Sequence, residues 1–429
     1  MFKMMSLISL LLSGIMFLSG CAMTVQAPGP EVIEPSEPVI EEPVETPKLP
    51  EVSGGLEMKE VGFNSFDSSL ISFIDKDFSR ENYMLSPLSF KYALGLAVLG
   101  AGGETEKELY NALGFTDFSD FEKLIGRIDD TKEEFEIYNG SLKDMKWLKD
   151  EEKDGMKIYL DIANSVWDIS GNMKDSYIDE VKSKMGAEAK KTSLSTVVAE
   201  VNTWVNEKTR GLIPQLLNSP PDSLGAVLVN TVYLKSSWFE SFNVTSEPLK
   251  FTDIDGNKVD KESINRQDKF AYFKDKDTEI VVVPLNGGVS IAYVIGDNEN
   301  IFDKLNKATI DKEVLVEVPK IDIETSFDKK EFVNYLISMG VKEAFLGTAD
   351  FDKMSEDMFI GDIIQKTKIK TDENGLEAAA ATAIMMKENA IAFEPEKPIE
   401  FIADRPFSFY IFTDVDNTPD LLFYGNYVR

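Results

Sequence analysis

The sequence predicts a mixed fold of helices and strands around one large core, and three stretches carry that prediction. The run Tyr92-Ala-Leu-Gly-Leu-Ala-Val-Leu99 is apolar on nearly every side, which a helix tolerates only when fully buried. Ala226 to Leu234 is a continuous apolar, β-branched run, the pattern of a strand covered on both faces. Glu279–Pro284 and Val289–Ile295 are short strand-like runs joined by Asn286-Gly287-Gly288, a hairpin signal. A chain of 429 residues has ample length for such a core, in one to three domains.

Taken in order, residues 1–20 read as a signal peptide, with Lys3 ahead of an apolar run from Leu7 to Leu18 that is too short for a comfortable membrane span. Leu18-Ser19-Gly20-Cys21 resembles the bacterial lipobox. The resemblance implies cleavage before Cys21, diacylglycerol on its sulfur and a protein anchored on the outer face of a bacterial membrane. Ala22 is not the aspartate associated with inner-membrane retention, so the cell surface or outer membrane is the expected location. Residues 21–56 then form a tether in which Pro28, Pro30, Pro35, Pro38, Pro43, Pro47 and Pro50 recur among acidic residues. At about 3.1 Å per residue in polyproline form it reaches roughly 100 Å.

From residue 57 the pattern is globular. Phe66, Leu70, Phe73 and Ile74 are spaced for a helix within Phe63–Phe78. Ser86 before Pro87 predicts a helix start, and Thr105-Glu-Lys-Glu108 predicts a capping box. Residues 116–155 are helical and acidic. Tyr159–Trp167 is strand-like, Val201-Asn202-Thr-Trp204-Val205 helical, and Asn230-Thr-Val-Tyr-Leu-Lys235-Ser-Ser-Trp238 continues the buried strand. Val314–Ile323 holds Val318-Pro319-Lys320. Ser326-x-x-Lys329 reads as a helix start capped by Ser326 with Asp328 in the first turn, not as a catalytic dyad. Phe401–Phe412 and Leu421–Val428 close the chain around the turn Asp416-Asn417-Thr418-Pro419.

Composition excludes several functions. The formal charge of −30 repels nucleic acid. With no histidine, Ser-His-Asp and Cys-His pairs and histidine metal sites are absent, which weighs against a hydrolase lipoprotein. No cofactor is expected. Cys21 is the single cysteine, so no intrachain disulfide exists.

The most unusual stretch is Asp372 to Met386. As a strand it places Leu376, Ala378, Ala380, Thr382 and Ile384 on one face and Glu377, Ala379, Ala381 and Ala383 on the other. The first face is slim and mostly apolar, so it fits into a packed sheet. As a helix the alanines are equally at home, with Leu376, Ala380 and Ile384 in an i, i+4 stripe. Periodicity does not decide between them.

Glu373-Asn-Gly375-Leu376-Glu377-Ala378-Ala379-Ala380-Ala381-Thr382 resembles the reactive-loop hinge of the serpin family. Asn82-x-x-x-Ser86-Pro87-x-Ser89, Gly100-Ala-x-Gly103-x-Thr105, Asn202-x-Trp204-Val205 with Thr209, Gly211 and Ile213, Pro319-Lys320, Ala403-Asp-Arg-Pro-Phe407 and Leu422-Phe-Tyr-Gly425 follow the family's order. The resemblance covers residues 57–429 and implies an α+β fold with three β-sheets, about nine helices and an exposed reactive-centre loop near residues 373–398. It implies a monomeric suicide inhibitor: a protease cuts the loop, and the freed hinge enters the main sheet as a new strand. The target is a serine protease, with cysteine proteases left open. A non-inhibitory serpin acting as a surface binding protein is the alternative. Family counting from Glu373 places the scissile bond at Asn389–Ala390. By side chain, Lys387–Glu388 suits trypsin-like enzymes, and Met385 or Met386 suits chymotrypsin-like or subtilisin-like ones. Ser86, Ser89, Asn230 and Gln365 would lie where the sheet opens, and Trp238 and Lys320 at the breach, with Lys320 paired to Glu373. Three positions depart from the family pattern: Leu376 for threonine, Ser236 for glycine and Gln365 for histidine. Glutamine keeps hydrogen bonding, so a link from Gln365 to Ser86 and Asn230 is expected, without histidine's pH response.

Overall fold

The computed structural model describes residues 65–146, 148–221, 226–327, 330–356, 358–376, 397–415 and 419–429. Among them are nine α-helices and three large sheets, with a two-stranded ribbon, Leu249–Thr252 and Lys258–Lys261, besides. This is the α+β architecture expected.

The main sheet runs in the order Asp322–Phe327, Ile360–Lys370, Ala226–Ser237, Tyr159–Asp168, Glu188–Lys191. Its middle strand, Ala226–Ser237, is paired antiparallel to Tyr159–Asp168 along nearly its whole length, from Ala226 opposite Asp168 to Lys235 opposite Tyr159. A six-stranded antiparallel sheet holds the hairpin Thr278–Leu285 and Val289–Gly296, with Phe407–Thr413, Leu421–Tyr427, Tyr83–Leu85 and Ala271–Lys274. The hairpin turn uses left-handed glycines, Gly287 at φ 89° and Gly288 at φ 68°. The third sheet joins Ile399–Ile402, Val314–Pro319, Ser263–Asp268 and Asn243–Val244.

The helix Pro87–Gly100 is buried at every position. Ser86 caps it by accepting the Ser89 N–H at 3.1 Å. It packs against the middle strand of the main sheet and against Leu421–Tyr427. Side-chain alternation along the middle strand gives it two different faces. Leu228 and Leu234 join the large core behind the sheet. Val227 and Val229 join a smaller core in front, beneath the helix Val197–Lys208, with Trp167, Trp204, Leu216, Leu217 and Ile364.

Two local expectations are corrected. The helix Gly103–Leu113 begins before Thr105, with Gly102 at its cap and no capping side chain. Tertiary partners take the proposed box: Thr105 Oγ1 accepts Asp350 N–H at 3.0 Å, and Glu108 Oε2 accepts Lys342 N–H at 2.7 Å. Ser326 lies in the strand Asp322–Phe327, opposite Lys366, and is exposed. The next helix starts at Glu331. An in–out alternation over Asp322–Phe327, with Ile323, Thr325 and Phe327 inward, outweighs the capping pattern there. Asp328 and Lys329 lie outside the described residues, as do Asp416, Asn417 and Thr418 of the closing turn.

Candidate functional site

The site is a seam in the main sheet. Ala226–Ser237 and Ile360–Lys370 run parallel and are paired only from Ile360 beside Ala226 up to Ile364 beside Val229. Above that point neither strand is paired to the other. The next contact on this side of the middle strand comes from Gly375–Leu376, antiparallel, with Gly375 opposite Ser237 and Leu376 opposite Ser236. Between these ends lies a small cavity of about 10 Å³, lined by residues including Met84, Leu234, Ile369, Leu376 and Phe423.

The turn that brings Gly375–Leu376 into the seam is built by Asp372. Its backbone N–H donates to Gly375 O at 3.0 Å, and its Oδ1 accepts the N–H groups of Asn374 at 2.7 Å and Gly375 at 3.2 Å, an Asx arrangement that reverses the chain. Trp238 grips the same turn: its indole N–H donates to Asp372 O at 2.8 Å, and its backbone N–H donates to Asn374 O at 2.9 Å. Phe242 N–H donates to Glu373 O at 2.9 Å. Gly375 is required by close approach, since a Cβ there would lie 2.2 Å from Ser236 O, at φ 154°. Leu376 is buried. Ser236 turns its hydroxyl away to donate to Asn286 O at 2.7 Å.

Lys320 sits where the chain passes from the four-stranded sheet into the main sheet, its Nζ 2.9 Å from Glu373 Oε2. Hydrogen bonding to the Lys320 ammonium holds the Glu373 carboxyl below the usual carboxylate range, and Glu373 in turn raises Lys320. Both side chains keep partial exposure, 26% and 34%, so the pair contributes at most about 1 kcal/mol.

At the lower end of the gap, where pairing stops, lies a buried polar cluster. Gln365 Oε1 accepts Ser86 N–H at 2.8 Å and its Nε2 donates to Ser86 O at 3.0 Å. Ser86 Oγ donates to Leu422 O at 2.7 Å. Ser89 Oγ donates to Asn230 Oδ1, and Asn230 Nδ2 donates to Asn164 Oδ1. The expected link from Gln365 to Ser86 is present, while Asn230 is reached indirectly. Gln365 bonds the Ser86 backbone, Ser86 Oγ accepts the Ser89 N–H at 3.1 Å, and Ser89 Oγ in turn donates to Asn230. Asn164 is a member that sequence reasoning missed, although a polar residue inside the strand-like run Tyr159–Trp167 marked it. Thr367, whose hydroxyl donates to Met84 O at 2.6 Å, was likewise not singled out. Cys21 and its tether, Glu377, Ala378, Ala379, Ala380, Ala381 and Thr382, and the candidate scissile residues Lys387, Glu388, Asn389 and Ala390 lie outside the described residues.

The family described as Serpin (serine protease inhibitor) matches residues 62–429. The chain is a serpin. It is similar to an uncharacterized serpin-like protein of Thermococcus kodakarensis, 28% identical over 96% of each chain. It is also similar to macrophage plasminogen activator inhibitor 2 of Mus musculus, 27% identical over 84% of this chain and 97% of the relative. Among solved structures it resembles the thermophilic serpin tengpin in the native state, with TM-score 0.68 and 25% identity over 86% of this chain and 93% of that one. The fold is shared with thyroxine-binding globulin in complex with thyroxine, with TM-score 0.67 and 20% identity over 87% and 99%. Serpins are generally protease inhibitors rather than enzymes and bind the proteases they target. In this serpin the seam, its polar lower end and the docked Gly375–Leu376 form one connected site on the main sheet.

Proposed function

We propose that this serpin is a suicide inhibitor of serine endopeptidases, with cysteine endopeptidases open to the same trap. The observation that carries the reading is the seam: among the described residues, Asn230 to Lys235 have no strand partner on the side of Ile360–Lys370, and Gly375–Leu376 is already seated at the upper end. Behind the hinge the sequence supplies small residues and no proline before Pro395, so nothing on the inward face stalls strand entry. The protease nucleophile attacks the scissile carbonyl, the new amine leaves, and the acyl-enzyme travels with the loop as it enters the sheet. Pairing about twelve residues beyond Leu376 at roughly 1 kcal/mol per hydrogen bond, with Ile384 buried as well, yields on the order of 10–15 kcal/mol before entropy costs. The Leu-Ser-Gly-Cys21 motif adds that the mature chain hangs from the outer face of a bacterial membrane by acyl chains on Cys21, spaced by its proline-rich tether.

The test is incubation with a panel of serine and cysteine proteases. An SDS-stable complex with one of them supports the reading, and mass spectrometry of the released peptide identifies the scissile bond. Clean cleavage by every protease, with no complex, would instead leave a non-inhibitory binding protein on this scaffold. Globomycin-sensitive processing and labelling of Cys21 by a fatty-acid analogue test the anchor.

A further inference from the structure

The middle strand changes neighbours at its upper end. Its ladder to Tyr159–Asp168 stops with Lys235 opposite Tyr159, and Ser236, Ser237 and Trp238 lie beyond it. These three are the residues the hinge rests against. Gly375 faces Ser237 and Leu376 faces Ser236, and Trp238 N–H donates to Asn374 O at 2.9 Å.

One residue stands behind all three. Asn286 N–H donates to Ser237 O at 2.9 Å, and Asn286 O accepts the Ser236 hydroxyl at 2.7 Å. The Asn286 side-chain amide donates to Ser237 Oγ at 2.9 Å and to Trp238 O at 3.1 Å. The Trp238 backbone is therefore gripped twice, its N–H by the hinge turn and its C=O by Asn286. Trp238 also bridges to Leu285, and Phe239 N–H donates to Pro284 O at 3.2 Å. The hairpin of the six-stranded sheet is thus grafted onto the end of the main sheet, with Asn286 at the join.

The sequence reads Asn286 as a turn residue, yet the turn does not need an asparagine there. Its left-handed positions are Gly287 and Gly288, and Asn286 itself is not left-handed. What needs the amide is the pair Ser237 Oγ and Trp238 O. The join is also wedged from outside: a Cβ on Gly287 would lie 2.6 Å from the Phe135 ring and 2.9 Å from Ile158 Cδ1. Ser236, where the family pattern has glycine, adds a hydroxyl bond to Asn286 that glycine lacks the atom to make.

We propose that Asn286, with Ser236 as its partner, is a positioning residue that fixes the platform under the hinge and so sets the fraction of molecules whose hinge is seated before cleavage. Its effect on trapping rests on the insertion reading above: a seated hinge gives strand entry a head start, and a lost platform gives the acyl-enzyme more time to hydrolyse. Its effect on hinge docking stands apart from that reading.

The experiment compares three variants of the intact protein. Asn286→Ala removes both side-chain donations. Asn286→Asp keeps the shape but has no donor for Trp238 O. Ser236→Ala removes the hydroxyl bond alone. Hydrogen exchange, read by mass spectrometry on peptides covering 236–242 and 372–376, should quicken roughly tenfold in both Asn286 variants and about threefold in Ser236→Ala. Tyr159–Asp168 and Val289–Gly296 should keep wild-type protection. With a protease that forms a complex, the ratio of cleaved inhibitor to SDS-stable complex should rise in the order wild type, Ser236→Ala, Asn286→Ala, at an unchanged rate of attack on the loop. Exchange quickened equally over the whole molecule would mark a merely structural asparagine and overturn the proposal, as would wild-type exchange at Trp238 in Asn286→Asp. Locally quickened exchange with an unchanged ratio overturns the effect on trapping. If no protease forms a complex, the insertion reading fails, and the exchange data still decide whether Asn286 holds the hinge.

Discussion

Replacing Gly375 by alanine should undock the hinge. The added Cβ would lie 2.2 Å from Ser236 O and 2.6 Å from Ser237 Cα, both backbone atoms just past the ladder to Tyr159–Asp168, which ends at Lys235, and held on their other side by Asn286, whose N–H donates to Ser237 O at 2.9 Å and whose O accepts from Ser236 Oγ at 2.7 Å. The strand cannot yield, so the two-residue hinge must. The move forfeits the Trp238 N–H bond to Asn374 O, about 1 kcal/mol, and the burial of Leu376, about 2 kcal/mol. Docking is thus worth about 3 kcal/mol, and a tenfold change takes about 1.4 kcal/mol. Exchange protection of the Trp238 amide should therefore fall roughly a hundredfold. Hydrogen exchange read by mass spectrometry on peptides spanning Val232–Phe242 measures this, and protection along Tyr159–Asp168 should be unchanged. Wild-type exchange at Trp238 in the variant would refute the claim that close approach at Gly375 holds the hinge in place.

Acid should loosen the same region through Glu373. Its folded pKa is depressed by Lys320, so the stabilisation is fully present above the unfolded value near 4.5 and disappears as pH falls through the lower folded value. Glu373→Gln should remove that acid-dependent step, about 1 kcal/mol at most, from melting curves taken between pH 6 and pH 3. Gln365→Ala strips both bonds from the buried Ser86 backbone and should cost about 2–3 kcal/mol in denaturant unfolding. Gln365→His should introduce a loss of stability below about pH 6.5, because burial opposes protonation in the folded state only; the wild-type protein should lack that histidine step. Ala380→Glu puts a charge on the inward face and should convert the inhibitor into a substrate, seen as cleavage without an SDS-stable complex.

Local chemistry was legible where it acts over a few residues. The all-round apolar Tyr92–Leu99, the Ser86 cap and the Asn286-Gly287-Gly288 hairpin each declared themselves because pattern and structure share one short window. The errors fell where a distant partner decides. Thr105 and Glu108 look like a capping box, yet their oxygens serve Asp350, Lys342 and Glu343, more than two hundred residues away in sequence. Ser326 looks like a cap, yet pairing with Ile360–Lys370 draws it into a sheet edge. The seam itself is invisible in composition, because it is a missing set of bonds between two strands that are individually well formed.

The small front core has a mechanical implication. Val229 belongs to one border of the seam and Ile364 to the other, and both pack into the same cluster under Val197–Lys208. That cluster acts as a rivet across the last closed stretch of the sheet, so a strand travelling down the gap meets free backbone first and a fastened joint afterwards. On the proposed insertion mechanism, side chains such as Leu216 and Leu217 would set how hard the final third of the strand's entry is, and with it the time a captured enzyme would have to escape.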